Sequence, residues 1–141
     1  MPVFSTASPI PKWGLLDRYL VTAEAARLPS LVCITKVDLV RPIGELQAIL
    51  EGYQEIGYPV LQVSPVSGQG LDELKLALQG RFSVMVGKSG VGKTSLINAL
   101  QPGLDLRVGE VTRGVKGKGR HTTTHLEMFN LDFGGAVMDT P

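Results

Sequence analysis

The stretch FSVMVGKSGVGKTSL, residues 82–96, decides the fold class of this 141-residue chain. An apolar run comes first, a glycine-rich turn follows, and apolar residues then recur at helical spacing. Residues 87–94 satisfy the pattern G-x-x-x-x-G-K-[ST] in full. Because a strand pattern precedes the motif and a helix pattern follows it, the stretch predicts a phosphate-binding loop. The alternative, a turn that binds nothing, requires motif and flanks to coincide by chance.

The residue types of this loop suit phosphate chemistry. Glycines let the backbone curl so that successive N–H groups point at phosphate oxygens, and the following helix adds the positive end of its dipole. Lys93 is a predicted catalytic residue, because its cation would stabilise charge on the transferring phosphoryl group. The Thr94 hydroxyl is a predicted Mg²⁺ ligand. The predicted nucleotide-binding residues of the loop are Gly87, Lys88, Ser89, Gly90, Val91, Gly92, Lys93, Thr94 and Ser95.

Composition narrows the class of protein. A chain of this length with 43% hydrophobic residues predicts one compact domain. Its formal charge of +1 gives no global sign of nucleic-acid affinity. The single cysteine, Cys33, lies in the apolar run LVCIT, which favours a buried, reduced core residue over a reactive one. No apolar run approaches the roughly 20 residues that cross a bilayer, and no signal-peptide pattern is present, so we expect a cytoplasmic protein.

Extended and helical patterns alternate along the chain. Helix patterns occupy GLLDRYLVTAEAARL, residues 43–56, GLDELKLALQG and residues 93–100. Strand patterns occupy the N-terminus, SLVCITKVDLV, VLQVS, residues 82–86, LEMFNL and AVMD. This alternation predicts an α/β fold in which a mostly parallel sheet lies between two layers of helices.

A candidate base-reading motif precedes the phosphate loop. The sequence TKVD, residues 35–38, ends a predicted buried strand, and ligands of α/β sheets bind at such strand ends. The Asp38 carboxylate could accept from guanine N1–H and N2–H₂, whereas adenine offers no such pair of donors on that edge. Lys36 would pack along the ring, and Ser64, at the end of VLQVS, would close the pocket. Taken alone, TKVD is more often an ordinary turn at a strand end, and the segments that follow it favour the base-reading role.

The order of these motifs resembles one family. Residues 35–38 and Ser64 precede the phosphate loop, which precedes GRHTTTH and the terminal DTP. In ordinary GTPases the phosphate loop comes first and the base-reading motifs last. The segments LLDRYLV, SGVGKTSLINAL and KGKGRHTTTHLEMF are similar to the circularly permuted GTPases of the ribosome-small-subunit-dependent GTPase A family (RsgA, also called YjeQ). The resemblance implies a circularly permuted P-loop G domain over residues 1–141, with GTP/GDP and Mg²⁺ as ligands.

The chain departs from the family pattern at two positions of the guanine site. Thr35 stands where asparagine is commoner, and its hydroxyl can still support the phosphate loop across the site. Pro65 stands where an alanine N–H usually bonds guanine O6, and proline has no N–H. Either guanine affinity is weakened, or Val66 donates instead.

The resemblance also implies switch and metal residues. Asp139, in DTP, would hold Mg²⁺ through water. Within RHTTTH, Thr123 is the first choice and Thr124 the second for the threonine that contacts Mg²⁺ and the γ-phosphate. His121 could position the attacking water as a catalytic residue, or it could be an exposed loop histidine. His125 is expected to be structural.

The resemblance covers the G domain alone, incomplete at both ends, without the family's N-terminal oligonucleotide-binding barrel or its C-terminal zinc module. It implies GTP hydrolysis in maturation of the small ribosomal subunit, guanine nucleotide and 16S-type ribosomal RNA as partners, and a monomer. The loop from residue 107 to 120 fits RNA phosphates or a solvated switch equally well. Its cations are Arg107, Arg113, Lys116, Lys118 and Arg120. Two alternatives stay open: an RNA-binding assembly module with negligible hydrolysis in isolation, and a chain that does not fold stably.

Overall fold

The computed structural model describes residues 1–108 and 126–140. Strands and helices alternate along it, as the sequence predicts, until two strands follow each other at the end. The elements are β1 (Val3–Ser5), α1 (Trp13–Ala25), β2 (Val32–Thr35), α2 (Gly44–Ile56), β3 (Val60–Gln62), α3 (Leu71–Leu78), β4 (Phe82–Met85), α4 (Lys93–Leu100), β5 (Glu127–Asn130) and β6 (Ala136–Asp139).

The strands of the described residues form two three-stranded sheets. One has the order β1-β2-β3 and is parallel throughout. The other has the order β4-β6-β5, and only its β5–β6 pair is antiparallel. Within the part of the chain that the structure describes, a parallel bridge between Pro2 and Val86 joins the two sheets, with hydrogen bonds of 2.7 Å from the Val3 N–H to the Val86 carbonyl and 3.0 Å from the Val86 N–H to the Met1 carbonyl. The predicted mostly parallel sheet is therefore confirmed.

Two apolar clusters lie against the strands, because successive strand residues point to opposite faces. Val3 and Cys33 belong to a cluster completed by residues of α3 and α4. Their neighbours Phe4 and Ile34 belong to the second cluster, which residues of α1 and α2 complete. The arrangement is the predicted layer of helices, sheet and helices.

Cys33 is a core residue, as expected from its apolar run. Its thiol is free and fully buried, and burial raises its pKa to about 12. A thiol with so high a pKa is not a nucleophile near neutral pH. Within residues 1–108 and 126–140, no helix is long and apolar enough to cross a membrane.

Parallel strands bring their carboxyl ends to one edge of a sheet. The segments that follow β1, β2, β3 and β4 therefore meet at the same edge, together with the end of β6. This is the edge at which open α/β sheets bind ligands.

Candidate functional site

The loop after β4 is built on close backbone approaches. A Cβ atom at Gly87 would lie 2.3 Å from the Val3 carbonyl oxygen, so only glycine fits where the loop leaves the sheet. Gly90 and Gly92 have φ of +84° and +99°, a left-handed conformation that glycine adopts without strain. Gly92 then starts α4, whose first N–H groups lack partners within the helix. Such a helix start is suited to binding an anion.

Lys93 is buried inside this loop. Its side chain is only 8% exposed, and its ammonium donates a 2.7 Å hydrogen bond to the Gly87 carbonyl and a 3.4 Å one to the Lys88 carbonyl. Burial lowers the pKa of Lys93, while the nearby charge of Asp139 opposes that shift. The loop is thus wrapped around a partly desolvated cation.

Asp139 ends β6 directly beside the strand that leads into the loop, in register with Met85. Its Oδ1 atom is buried and has no hydrogen-bond partner among the described residues. Burial raises the pKa of Asp139; the Lys93 cation opposes the shift, and Glu127 on β5 adds to it. A buried carboxylate oxygen without a partner calls for a cation or an ordered water.

These groups fit a hydrated Mg²⁺ ion. Magnesium prefers oxygen ligands, keeps several waters and commonly uses one carboxylate together with substrate phosphates. The unpartnered Asp139 oxygen and the Thr94 hydroxyl, on the residue after Lys93, supply ligands of that kind. Within the described part of the chain, no three His, Cys, Asp or Glu side chains gather into a metal cluster. A Mg²⁺ site formed by one carboxylate and one hydroxyl does not require such a cluster.

Thr35 connects the segment after β2 with the phosphate loop. Its buried hydroxyl lies 2.5 Å from the Val91 carbonyl oxygen and 3.1 Å from that of Phe4. Since a hydroxyl has one proton, the nearer Val91 oxygen is the main acceptor. The contact joins the end of β2 in one sheet to the loop that follows β4 of the other sheet.

Lys36 makes a second connection. Its ammonium donates to the Gly90 carbonyl at 2.7 Å and also to the Ser8 carbonyl in the segment after β1. Its backbone has φ of +62°, which is unusual for a residue with a side chain. The Thr6 hydroxyl donates a 2.8 Å hydrogen bond to the Lys36 carbonyl. No motif in the sequence marks Thr6 or Ser8 as a site residue.

Asp38 and Ser64 meet at the carboxyl ends of β2 and β3. The Ser64 hydroxyl donates a 2.6 Å hydrogen bond to Asp38 Oδ1 and accepts one of 3.1 Å from the Ser67 N–H. Ser64 is buried, whereas Asp38 is exposed. The carboxylate is therefore held by a fixed partner and still faces solvent. Beside it, Pro65 is half-buried and Val66 is 86% exposed.

Several predicted residues fall outside the described ranges. These are His121, Thr123, Thr124, His125 and the cations of the basic loop beyond Arg107. The remaining site residues come together at one edge of the sheet. The phosphate loop occupies its centre, Asp139 lies on one side of it, and Asp38 with Ser64 on the other.

The chain is similar to known proteins over almost all of its length. The family model described as RsgA GTPase matches residues 1–141. Over 135 residues, the chain is 48% identical to the small ribosomal subunit biogenesis GTPase RsgA of Azotobacter vinelandii, covering 94% of this chain and 39% of that protein. It is 45% identical over 141 residues to the protein of the same name from Geobacillus kaustophilus, covering 99% of this chain and 47% of that one.

A solved structure is also similar. The crystal structure of YjeQ from Thermotoga maritima matches with a TM-score of 0.74 and 37% sequence identity, over 99% of this chain and 46% of that chain. The present chain thus spans less than half the length of these relatives. The matches confirm the predicted resemblance and the circularly permuted P-loop fold. The chain belongs to the RsgA GTPase family.

Proposed function

We propose that this protein binds guanine nucleotides and hydrolyses GTP to GDP and phosphate. One relationship carries the proposal: a carboxylate held by a serine lies at the same sheet edge as a phosphate loop that encloses a lysine. Thr35 and Lys36 tie the two regions together through Val91 and Gly90. A nucleotide needs a base site and a phosphate site at a fixed separation, and these hydrogen bonds fix that separation.

Each group then has a role in binding. Asp38 accepts hydrogen bonds from guanine N1–H and the 2-amino group, while Ser64 fixes one of its oxygens. Because Pro65 lacks an N–H, the adjacent Val66 N–H is our candidate donor to guanine O6. Lys93 turns from the loop carbonyls to the β- and γ-phosphates. The loop N–H groups and the start of α4 bind the remaining phosphate oxygens.

Catalysis is electrostatic in this proposal. Lys93 and the loop amides stabilise charge that develops on the phosphoryl group while a water attacks in line. Thr94 and Asp139 would hold Mg²⁺, which would supply further positive charge beside the phosphates. His121 as the residue that positions the water, and Thr123 as a further metal ligand, remain predictions from the sequence.

The names of the relatives suggest the setting. Those proteins are named small ribosomal subunit biogenesis GTPases. We propose that this chain acts as a monomer in the cytoplasm on the small ribosomal subunit, and that the basic loop beginning at Arg107 contacts 16S-type ribosomal RNA. An assembly module that binds nucleotide and barely hydrolyses it is the competing function.

Nucleotide affinity and turnover test the proposal. Affinities of the purified protein for GDP, GTP and ATP should show a preference of at least about tenfold for the guanine nucleotides, which corresponds to about 1.4 kcal/mol. Equal affinity for ATP would overturn the assignment of the base site. Turnover of GTP is then measured with and without purified small subunits. Tight GTP binding with no turnover in either condition would favour the assembly module.

A further inference from the structure

Thr6 lies in the short segment after β1, outside every motif of the site. It is buried, with 7% of its surface exposed. Its N–H donates a 3.0 Å hydrogen bond to the Thr35 carbonyl, and its hydroxyl donates a 2.8 Å hydrogen bond to the Lys36 carbonyl. Thr6 thus contacts two consecutive residues of the base-reading segment, Thr35 through its backbone and Lys36 through its side chain.

The Lys36 carbonyl is the centre of the turn that carries Asp38. It accepts from the Leu39 N–H at 2.9 Å and the Val40 N–H at 3.3 Å, in addition to the Thr6 hydroxyl. The turn starts from a left-handed Lys36, which a residue with a Cβ adopts only when its surroundings hold it there. The Thr6 hydroxyl is one of the groups that hold it.

Asp38 is therefore fixed at two points. Ser64 holds its carboxylate, and the turn anchored by Thr6 holds its backbone. The Ser64 hydroxyl alone fixes one oxygen and leaves the carboxylate free to pivot about that contact. Reading guanine requires both acceptors to face two adjacent donors, so the backbone anchor matters for the second hydrogen bond.

We propose that Thr6 is a positioning residue for base selection, which it exerts through the Lys36 carbonyl and the orientation of Asp38. The inference rests on the proposed guanine site and adds a residue to it. It concerns discrimination between bases.

Inosine diphosphate is the probe, because it lacks the 2-amino group of GDP and keeps the rest of the nucleotide. The ratio of the two affinities therefore reports the second hydrogen bond to Asp38. Thr6→Val removes the hydroxyl at nearly constant volume. We expect the preference of Thr6→Val for GDP over inosine diphosphate to be about fivefold lower than that of the parent, which is the scale of one hydrogen bond. Thr6→Ser keeps the hydroxyl and should keep the parent's preference.

Ser5→Ala is the matched control. Ser5 is also buried in this segment, but its hydroxyl donates to the Pro9 carbonyl and does not contact Lys36. Its preference should equal that of the parent. If Ser5→Ala lost as much preference, a general loosening of the segment would explain the result and the specific role of Thr6 would be wrong.

The remaining outcomes separate this inference from the proposed function. Suppose that the parent prefers GDP, and that Thr6→Val either lowers the affinity for both nucleotides equally or lowers neither affinity. The positioning role is then overturned and the guanine site stands. If the parent binds GDP no better than inosine diphosphate and ATP, the guanine site falls and the positioning role with it. If thermal unfolding shows that Thr6→Val does not fold, the same affinities are measured on Thr6→Ala.

Discussion

Thr35 and Val91 are 56 positions apart, yet the hydroxyl of one lies 2.5 Å from the carbonyl oxygen of the other. Thr35 ends the central strand of the first sheet, and Val91 lies in the loop that follows β4 of the second. The position of the phosphate loop therefore depends on a residue of the base-reading motif. The permuted order separates the two motifs along the chain and leaves them in contact in the fold.

Replacing Thr35 tests this contact. Thr35→Val leaves the buried Val91 carbonyl without its donor, which should lower the free energy of unfolding by about 1–3 kcal/mol. Thr35→Ser keeps the hydroxyl and should cost less. Chemical denaturation measures both. Thr22→Val is the control, because it removes an exposed hydroxyl that donates to the Arg18 carbonyl. Its free energy of unfolding should differ from that of the parent by no more than about 0.5 kcal/mol.

Lys93→Ala should weaken GTP binding at least about tenfold, because it removes the buried cation that the phosphate loop encloses. The Lys12→Ala variant removes an exposed lysine before α1 and should bind GTP as the parent does. Isothermal titration with GTP and Mg²⁺ measures both affinities. Unchanged binding by Lys93→Ala would exclude the loop as the phosphate site.

Asp38→Asn should move base preference from guanine toward xanthine. The new amide donates where the carboxylate accepted, and the xanthine C2 carbonyl can accept from it. Competition between GDP and xanthosine diphosphate measures the shift, which should exceed about tenfold in the ratio of the affinities. Asp132→Asn, in the exposed turn between β5 and β6, is the control. A variant that kept the parent's guanine preference would show that Asp38 does not read the base.

Asp139→Asn should stabilise the nucleotide-free protein and remove the Mg²⁺ dependence of nucleotide affinity. Because burial raises the pKa of Asp139 above 3.8, the folded state keeps a proton that the unfolded state has lost. The parent's stability therefore falls as pH rises from about 4 through that raised pKa. Because the Asp139→Asn variant has no carboxyl group at this position, it does not lose stability in this way as pH rises.

Thermal unfolding across this pH range checks the sign. The melting temperature of Asp139→Asn minus that of the parent should be near zero below pH 4. It should grow with pH and level off above the raised pKa. A difference that shrinks with rising pH would mean that the ionised carboxylate stabilises the fold. Titrations with and without Mg²⁺ test the functional half of the prediction.

Gly87→Ala should destabilise the protein by about 1–3 kcal/mol, because the added Cβ would lie 2.3 Å from the Val3 backbone oxygen and one chain must shift. Gly52→Ala, inside α2, meets no atom within 4 Å and should stabilise by up to about 1 kcal/mol, the usual gain of alanine over glycine in a helix. Chemical denaturation of both variants gives the comparison. Equal effects would show that the close approach at Gly87 relaxes at no cost.

Local patterns were sufficient to predict much of this fold. Apolar periodicity and glycine at element ends mark the helices, so the predicted helix at residues 93–100 coincides with α4. The sequence also placed Asp38 and Ser64 at neighbouring strand ends, where they form a hydrogen bond. Thr6 could not be found in this way. Its contact with Lys36 arises only when β1 pairs with β2, and nothing local distinguishes this threonine from other threonines in loops.

The bridge between Pro2 and Val86 has a mechanical consequence. The base-reading groups and the phosphate loop lie on opposite sides of this join, which is also bridged by contacts from Thr35 and Lys36 and by the apolar cluster that Val3 and Cys33 share with α4. A nucleotide whose base binds one half and whose phosphates bind the other would link the two halves across the join. Its binding energy would then oppose separation of the two halves, amounting to about 2.7 kcal/mol at a ligand concentration of 100 times Kd.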